Sequence, residues 1–271
     1  MDIVFFKIAL FASLASSLCY VVSIMVKRVV AAKIGTWVLL AVFLFLTVSF
    51  GFRCVTTGSS ELLTAHGVLV FFAWAMSGGY LALQIKTKTR VLGVLVAPMV
   101  SLVLIGASIG IGARMELPVI LRGSLVPLHV LLTLTGEALL IIASVAGGMY
   151  LVQNGSIKKK KMGGLVRLLP SLTDLDRINH LCLLAGFPLL TLGVLLGSIW
   201  ASAVWGSHWP WDPKFVWASI VWLFYGILIY QRLFLGWKGH RPALFSIAAF
   251  SLLLASYLAV RLFLPTAHRF I

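Results

Sequence analysis

The sequence predicts an all-α, polytopic membrane protein with about eight transmembrane helices. Of its 271 residues, 61% are hydrophobic and only 11% are charged, whereas a soluble domain carries roughly a quarter charged residues. Long apolar runs recur along the chain, and a spanning helix needs about 20 such residues. These runs lie at about 3–26, 35–52, 62–84, 91–113, 125–152, 179–203, 215–235 and 243–264. We therefore interpret residues 1–271 as a single integral membrane domain in a lipid bilayer.

The basic residues lie mainly in alternate connections, and this pattern predicts the orientation of the chain. Fifteen of the 22 lysines and arginines fall on one side when connections are assigned alternately to the two membrane surfaces. Positively charged loops remain in the cytoplasm, so this side is predicted to be cytoplasmic and both termini to lie outside. Topology therefore accounts for the net charge of +15 without a nucleic-acid partner. The fifteen are Lys27, Arg28, Lys33, Lys86, Lys88, Arg90, Lys158, Lys159, Lys160, Lys161, Arg167, Arg177, Arg232, Lys238 and Arg241.

The outer connection between the sixth and seventh helices has an unusual composition. Six of the nine tryptophans fall between residues 200 and 222, and two prolines, Pro210 and Pro213, stiffen the same stretch. An aromatic belt at a membrane interface needs only one or two rings at each helix end. A dense group of rings is instead typical of a platform for a large, flat, apolar ligand. We expect such a platform, with an ordinary aromatic belt as the alternative.

Two histidines are predicted to lie on the same side as this loop. His129 is expected at the outer end of the fifth helix, and His268 follows the eighth. Neutral imidazole is a common ligand of iron, and two imidazoles can fill both axial positions of a haem. Haem ligation by this pair is therefore a hypothesis, although nothing in the sequence alone brings the two side chains together.

The tryptophan-rich loop and its flanks resemble a known family. The segment 205–214, Trp-Gly-Ser-His-Trp-Pro-Trp-Asp-Pro-Lys, is similar to the WWD signature of haem-handling proteins in cytochrome c biogenesis. Segments 186–193, 197–201 and 236–241 are similar to the CcsA/ResC-type and HemX-like branch of that family. The resemblance is strongest over residues 120–271.

The resemblance implies a haem-handling subunit of cytochrome c maturation, of the kind called System II. It implies haem b as a bound substrate, a ResB/CcsB-type membrane partner, and an apocytochrome c with a Cys-x-x-Cys-His motif. The implied location is the cytoplasmic or another energy-transducing membrane, with haem on its periplasmic or lumenal face. The family's axial ligands of haem iron correspond to His129 and His268. Its haem cradle corresponds to Trp205, Gly206, Trp209, Trp211, Asp212 and Pro213.

The chain also departs from the family pattern. Phe215 stands where the family commonly has a glutamate, and Tyr230 stands where it has a histidine near the cytoplasmic end of the seventh helix. A tyrosine can ligate ferric haem through its phenolate; the alternative for Tyr230 is a packed, interfacial residue. His208 is expected either to stack on the haem or to ligate it.

Glu137 is the one carboxylate predicted inside the membrane, where acidic residues are costly and often functional. It would either pair with a donor near the haem or form a hydrogen bond between helices. The other three histidines, His66, His180 and His240, are expected to have structural or interfacial roles.

Two other functions remain open from the sequence. A HemX-like membrane regulator of haem synthesis would need no surface for an apocytochrome. A haem transporter without attachment activity would often show internal repeats and broken helices, which the sequence does not. Because the residues offer no obvious nucleophile or acid–base pair, the sequence leaves open whether the subunit is itself an enzyme.

Overall fold

The protein is all-helical over the part of the chain that its computed structural model describes. That part comprises residues 2–26, 28–57, 63–87, 89–111, 125–160, 163, 168–208 and 211–263. Eight of its helices are long and apolar enough to cross a membrane, which confirms the predicted multi-pass, all-α class. They are α1 (Asp2–Met25), α2 (Val29–Thr57), α3 (Ala65–Thr87), α4 (Gly93–Ile109), α5 (Leu125–Lys158), α6 (Leu172–Trp205), α7 (Pro213–Leu233) and α8 (His240–Phe263).

Several helices differ in length from the apolar runs that predicted them. α2 was predicted over 35–52 and spans Val29–Thr57, while α6 was predicted over 179–203 and begins at Leu172. α5 continues to Lys158, so the first lysine of the expected polar loop is helical. Hydropathy marks only the part of a helix that lies in lipid, whereas helical hydrogen bonding continues into polar flanks.

The helices pack as two groups of four consecutive helices. In the first group, α1 packs on α2 and α4, and α3 packs on the same two helices. In the second group, α5 packs on α6 and α8, and α7 lies against α8 more extensively than against α6. Contacts between α3 and α5 join the two groups. Although a run of lysines follows α5 in the sequence, α5 packs mainly with the helices after it.

Glycines on α5 explain this packing. A Cβ added at Gly136 would lie 2.7 Å from the backbone nitrogen of Leu190 on α6. A Cβ added at Gly147 would lie 2.9 Å from the carbonyl oxygen of Ala243 on α8. Because small residues let membrane helices approach closely, α5 lies at the centre of the second group.

The two ends of the bundle differ in chemistry, and we name them by their residues. The tryptophan end contains the start of α5 and the loop 206–212, and the basic end contains Lys86, Lys158 and Arg232. His129 is at the tryptophan end of α5, and Tyr150 lies near the basic end, beside Gly239. The two residues are separated along α5 by about 32 Å at 1.5 Å per residue. A bilayer's hydrocarbon core is about 30 Å thick, so the two ends are assigned to opposite membrane surfaces.

Arg232 ties three helices together at the basic end. Its Nε donates to Nδ1 of His180 at 2.7 Å, and its Nη1 donates to Oδ1 of Asn179 at 3.0 Å. Its Nη2 donates to the Asp176 carbonyl at 2.8 Å and lies 3.0 Å from the Asp176 carboxylate. That carboxylate also accepts the backbone N–H of Gly239, just before α8. Arg232 is buried, and a buried guanidinium is tolerated because these partners satisfy it.

Candidate functional site

His129 lies in the second turn of α5 and faces α6. Its Nδ1 is 2.6 Å from the carbonyl oxygen of Gly193. Because a carbonyl can only accept, Nδ1 donates, and in a neutral ring the lone pair is then on Nε2. Among the residues that the structure describes, none forms a hydrogen bond with Nε2. Metal-binding histidines are usually held in this way through their second nitrogen, so the arrangement of His129 is compatible with metal ligation.

Two glycines on α6 let this part of α5 lie close to it, and one of them makes room for the imidazole. A Cβ added at Gly197 would lie 2.9 Å from Cε1 and 3.0 Å from Nδ1 of His129. A Cβ added at Gly193 would overlap the hydroxyl of Thr133, which itself donates to the His129 carbonyl at 2.7 Å. Sequence reasoning used these glycines only as part of a family motif. With Gly186, they recur at intervals of seven and four residues on one helix face, and that spacing could have predicted a close contact with α5.

Helix caps fix both ends of the tryptophan-rich loop. Gly206 ends α6 with φ 68°, a left-handed conformation that favours glycine. Asp212 precedes α7, and its side chain accepts the backbone N–H of Lys214 at 2.9 Å. Pro213 occupies the first position of α7, where its missing N–H costs nothing. All three were predicted to cradle haem; their capping contacts determine where the loop leaves one helix and enters the next.

The loop itself is partly described. The Ser198 hydroxyl donates to the carbonyl of His208 at 2.8 Å, which folds the first half of the loop back towards α6. The His208 side chain is exposed, and Trp211 is 85% exposed. Trp209 lies outside the described residues, as does the side chain of Trp205. An exposed tryptophan at this surface is available to a flat apolar ligand.

His268 also lies outside the described residues, so its pairing with His129 stays a prediction. The course of α8 nevertheless bears on it. Tyr257 on α8 contacts Glu137, which is about 12 Å from His129 along α5. From Tyr257 to Phe263, α8 rises about 9 Å towards the tryptophan end, which is the direction from Glu137 to His129 on α5. α8 therefore ends close to the membrane depth of His129.

Glu137 is buried and bonded to a neighbouring helix. Its two carboxylate oxygens accept the Tyr257 hydroxyl at 2.8 and 3.0 Å. This is an interhelical hydrogen bond, one of the two arrangements considered for Glu137. Lys214 lies within electrostatic range of both Glu137 and Asp212, so a cation also lies near this carboxylate. Sequence reasoning did not single out Tyr257 or Lys214.

Tyr230 lies at the basic end of α7, away from His129. Its side chain is 54% exposed, and its ring stacks on Phe234 with centroids 5.1 Å apart. Any haem contact made by Tyr230 would therefore occur at a separate surface, and its ligation stays a prediction.

The fold and this site define a multi-pass membrane protein with a tryptophan-rich surface loop and an imidazole held beside it. The family described as Cytochrome C assembly protein matches residues 62–268, and the chain belongs to that family. The family predicted from the WWD signature is thereby confirmed, and the match begins well before residue 120.

Similar proteins bear the name cytochrome c biogenesis protein CcsA. The chain is 27% identical over 267 residues to the one from Pyropia yezoensis, and 84% of each chain is covered. It is 30% identical over 240 residues to the one from Prochlorococcus marinus strain MIT 9515, covering 80% of this chain and 77% of that relative. For Chlamydomonas reinhardtii the identity is 31% over 226 residues, covering 80% of this chain and 63% of the relative.

Proposed function

We propose that the chain binds haem at its tryptophan end and presents it for covalent attachment to an apocytochrome c. Membership of the cytochrome c assembly family supports a role in cytochrome c assembly. The arrangement of His129 supports the tryptophan end as the place where haem binds. The observation that carries the proposal is the bond from Nδ1 of His129 to the Gly193 carbonyl, which leaves Nε2 as the ligating atom.

In this proposal the chain positions its substrate and supplies no reacting group. His129 and His268 provide the two axial nitrogens, and the loop residues Trp205, Trp209 and Trp211 provide apolar surface around the ring. Thioether formation joins haem vinyl groups to the thiols of the Cys-x-x-Cys-His motif, so the substrates carry the chemistry. The depth at which α8 ends supports a contribution from the residues that follow it.

The proposed location is the outer face of an energy-transducing membrane. Among the described residues, most lysines and arginines lie at the basic end, and positively charged loops face the cytoplasm. The tryptophan end would then face the compartment in which apocytochrome c is found. A ResB/CcsB-type partner in the same membrane would bring the apocytochrome to the loop.

Replacement of His129 tests the proposal directly. Two axial imidazoles give a low-spin haem spectrum, and removal of one opens a coordination position. We expect purified His129→Ala protein to lose haem or to show a high-spin spectrum, with partial recovery when imidazole is added. Absorption spectra and haem staining of equal amounts of protein would measure this.

His240→Ala is the matched control, because His240 is exposed at the basic end, where α8 begins. It should leave haem content and spectrum unchanged. An unchanged low-spin spectrum in His129→Ala, with cytochrome c still maturing, would rule out His129 as the ligand.

A further inference from the structure

A half-open groove lies on the membrane-facing surface between the two helix groups. It has a volume of about 490 Å³ and is lined by α2 and α3 on one side and by α5 and α6 on the other. Phe43 and Trp74 form its aromatic wall, and Leu139 and Ala185 lie on the opposite wall. Among the described residues that line it, only Lys86 is charged.

The aromatic wall is held rigidly. Nε1 of Trp74 donates to the Thr47 hydroxyl at 2.8 Å, which satisfies the indole inside the membrane. The Trp74 ring stacks with Phe43 and Phe71 at centroid distances of 5.2 and 5.3 Å. Gly78 lets Phe43 lie close to α3, since an added Cβ would be 2.7 Å from its ring. The result is a smooth apolar surface whose polar atoms are already bonded.

The groove lies mainly in the leaflet at the basic end. A Cβ added at Gly79 would touch Leu139 at 3.1 Å, and Leu139 is about 15 Å from His129 along α5. That is the middle of a hydrocarbon core about 30 Å thick. From Gly79, α3 carries Lys86 about 10 Å further towards the basic end. Trp74, five residues before Gly79, lies about 8 Å from the centre on the other side. The groove therefore extends from Trp74, just beyond the bilayer centre, to a lysine near headgroup depth.

We propose that this groove binds an anionic phospholipid, with one acyl chain against the aromatic wall and the phosphate at Lys86. A lysine whose stem follows apolar surface places its ammonium at the headgroups. Arg28 and Arg90 line a second cavity at the same end, together with one carboxylate, Asp174, and a net excess of cations attracts anionic lipids. The acyl chain would complete the packing between the two helix groups. The proposal is independent of the proposed haem function.

The test compares lipid retention by the full-length chain and two variants. Each protein is placed in vesicles of equal phosphatidylglycerol and phosphatidylcholine, extracted gently, and examined by native mass spectrometry. The unaltered chain should retain more phosphatidylglycerol than phosphatidylcholine. Lys86→Ala should reduce that preference about fivefold, as expected for one cation at an anionic surface. Ala185→Phe should reduce retention of both lipids, because the new ring occupies the groove.

Two matched variants control for nonspecific effects. Lys33→Ala removes an exposed lysine near the basic end of α2, and Ala255→Phe adds a ring at an exposed position of α8; neither residue lines the groove. Both should retain lipid as the unaltered chain does. Brominated phosphatidylglycerol should also quench Trp74, measured as the fluorescence difference from Trp74→Phe.

Three results would overturn the proposal. One is equal retention of the two lipids by the unaltered chain. The second is unchanged retention in both Lys86→Ala and Ala185→Phe. The third is a retained molecule, lost in Ala185→Phe, whose mass is that of haem instead of a phospholipid.

Discussion

Two histidines near the tryptophan end make the same hydrogen bond in different surroundings. Nδ1 of His66 on α3 bonds the Ala107 carbonyl on α4 at 2.8 Å, and Nδ1 of His129 bonds the Gly193 carbonyl at 2.6 Å. His66 is only 4% exposed, and the Phe6 ring packs edge-on against it with centroids 4.8 Å apart. His129 is partly exposed.

The difference shows that a bonded imidazole does not by itself indicate a ligand site. A histidine fixed to a neighbouring helix and covered by an aromatic ring locks two helices together. A histidine fixed in the same way, but beside a glycine and only partly buried, as His129 is, keeps its second nitrogen available. The surroundings of the second nitrogen therefore distinguish the two roles.

Both histidines are predicted to face the same side of the membrane as the tryptophan-rich loop. The charge pattern predicts an all-or-none result for topology reporters. A reporter fused after His268 should be active only outside the cytoplasm, and one inserted at Lys160 should be active only inside. The reverse pattern would place the tryptophan loop in the cytoplasm and contradict the proposed function.

The second largest effect, on haem retention, is expected from Gly197→Ala, which would place a methyl group against His129. The added Cβ would lie 2.9 Å from the imidazole, so the ring must move while every ligand atom remains. Disturbing a group that orients a metal ligand costs about 10- to 100-fold in affinity, and haem retention should fall by this factor. Gly148→Ala is the control, because a Cβ there meets nothing within 4 Å. Equal haem retention in the two variants would show that α6 does not position His129.

A smaller effect, on stability alone, is expected from His66→Ala. It removes one hydrogen bond from the Ala107 carbonyl, which keeps the backbone N–H of Gly110 at 3.2 Å, and it leaves a cavity where the ring packs on Phe6. We expect the lost bond and the cavity together to lower the free energy of unfolding by about 1–3 kcal/mol, measured by thermal denaturation in detergent. The haem spectrum of the folded fraction should not change. A high-spin spectrum in this variant would mean that the two histidines do not have separate roles.

The smallest effect is expected from Tyr257→Phe, which removes the interhelical bond to Glu137. Hydrogen bonds between membrane helices contribute about 0.6 kcal/mol on average. A double-mutant cycle with Glu137→Leu should give a coupling of that size in unfolding measurements. Tyr230→Phe, at an exposed position, serves as the control. A coupling near zero would show that the bond between α5 and α8 adds nothing to stability.

The sequence predicts the helices well because lipid imposes a simple rule on them. Every backbone group in the hydrocarbon must be bonded within its own helix, so long apolar runs identify the eight spans. The ends are less predictable: α6 begins one to two turns earlier than its apolar run, where Ser171 accepts the backbone N–H of Asp174 as an N-cap. A hydropathy profile does not detect such polar caps.

The site is predictable in part. His129 is predicted to be a ligand from the family resemblance and from its place at the outer end of the fifth helix. The spacing of the glycines on α6 predicts a close helix contact, but the side chains that Gly193 and Gly197 meet depend on how α5 and α6 pack, which an individual run of sequence does not encode. The same holds for Tyr257, since its partner Glu137 is 120 residues earlier. The pairing of His129 with His268 depends on residues beyond Phe263 and stays a prediction.

The Arg232 cluster has a mechanical consequence for α7. It clamps α7 to α6 at the basic end, whereas near the middle of α7 Trp222 stacks on Phe187 and donates a hydrogen bond to Thr191 at 2.9 Å. We expect any displacement of α7 relative to α6 to be smallest at Arg232 and to increase towards Pro213, where the tryptophan-rich loop is attached.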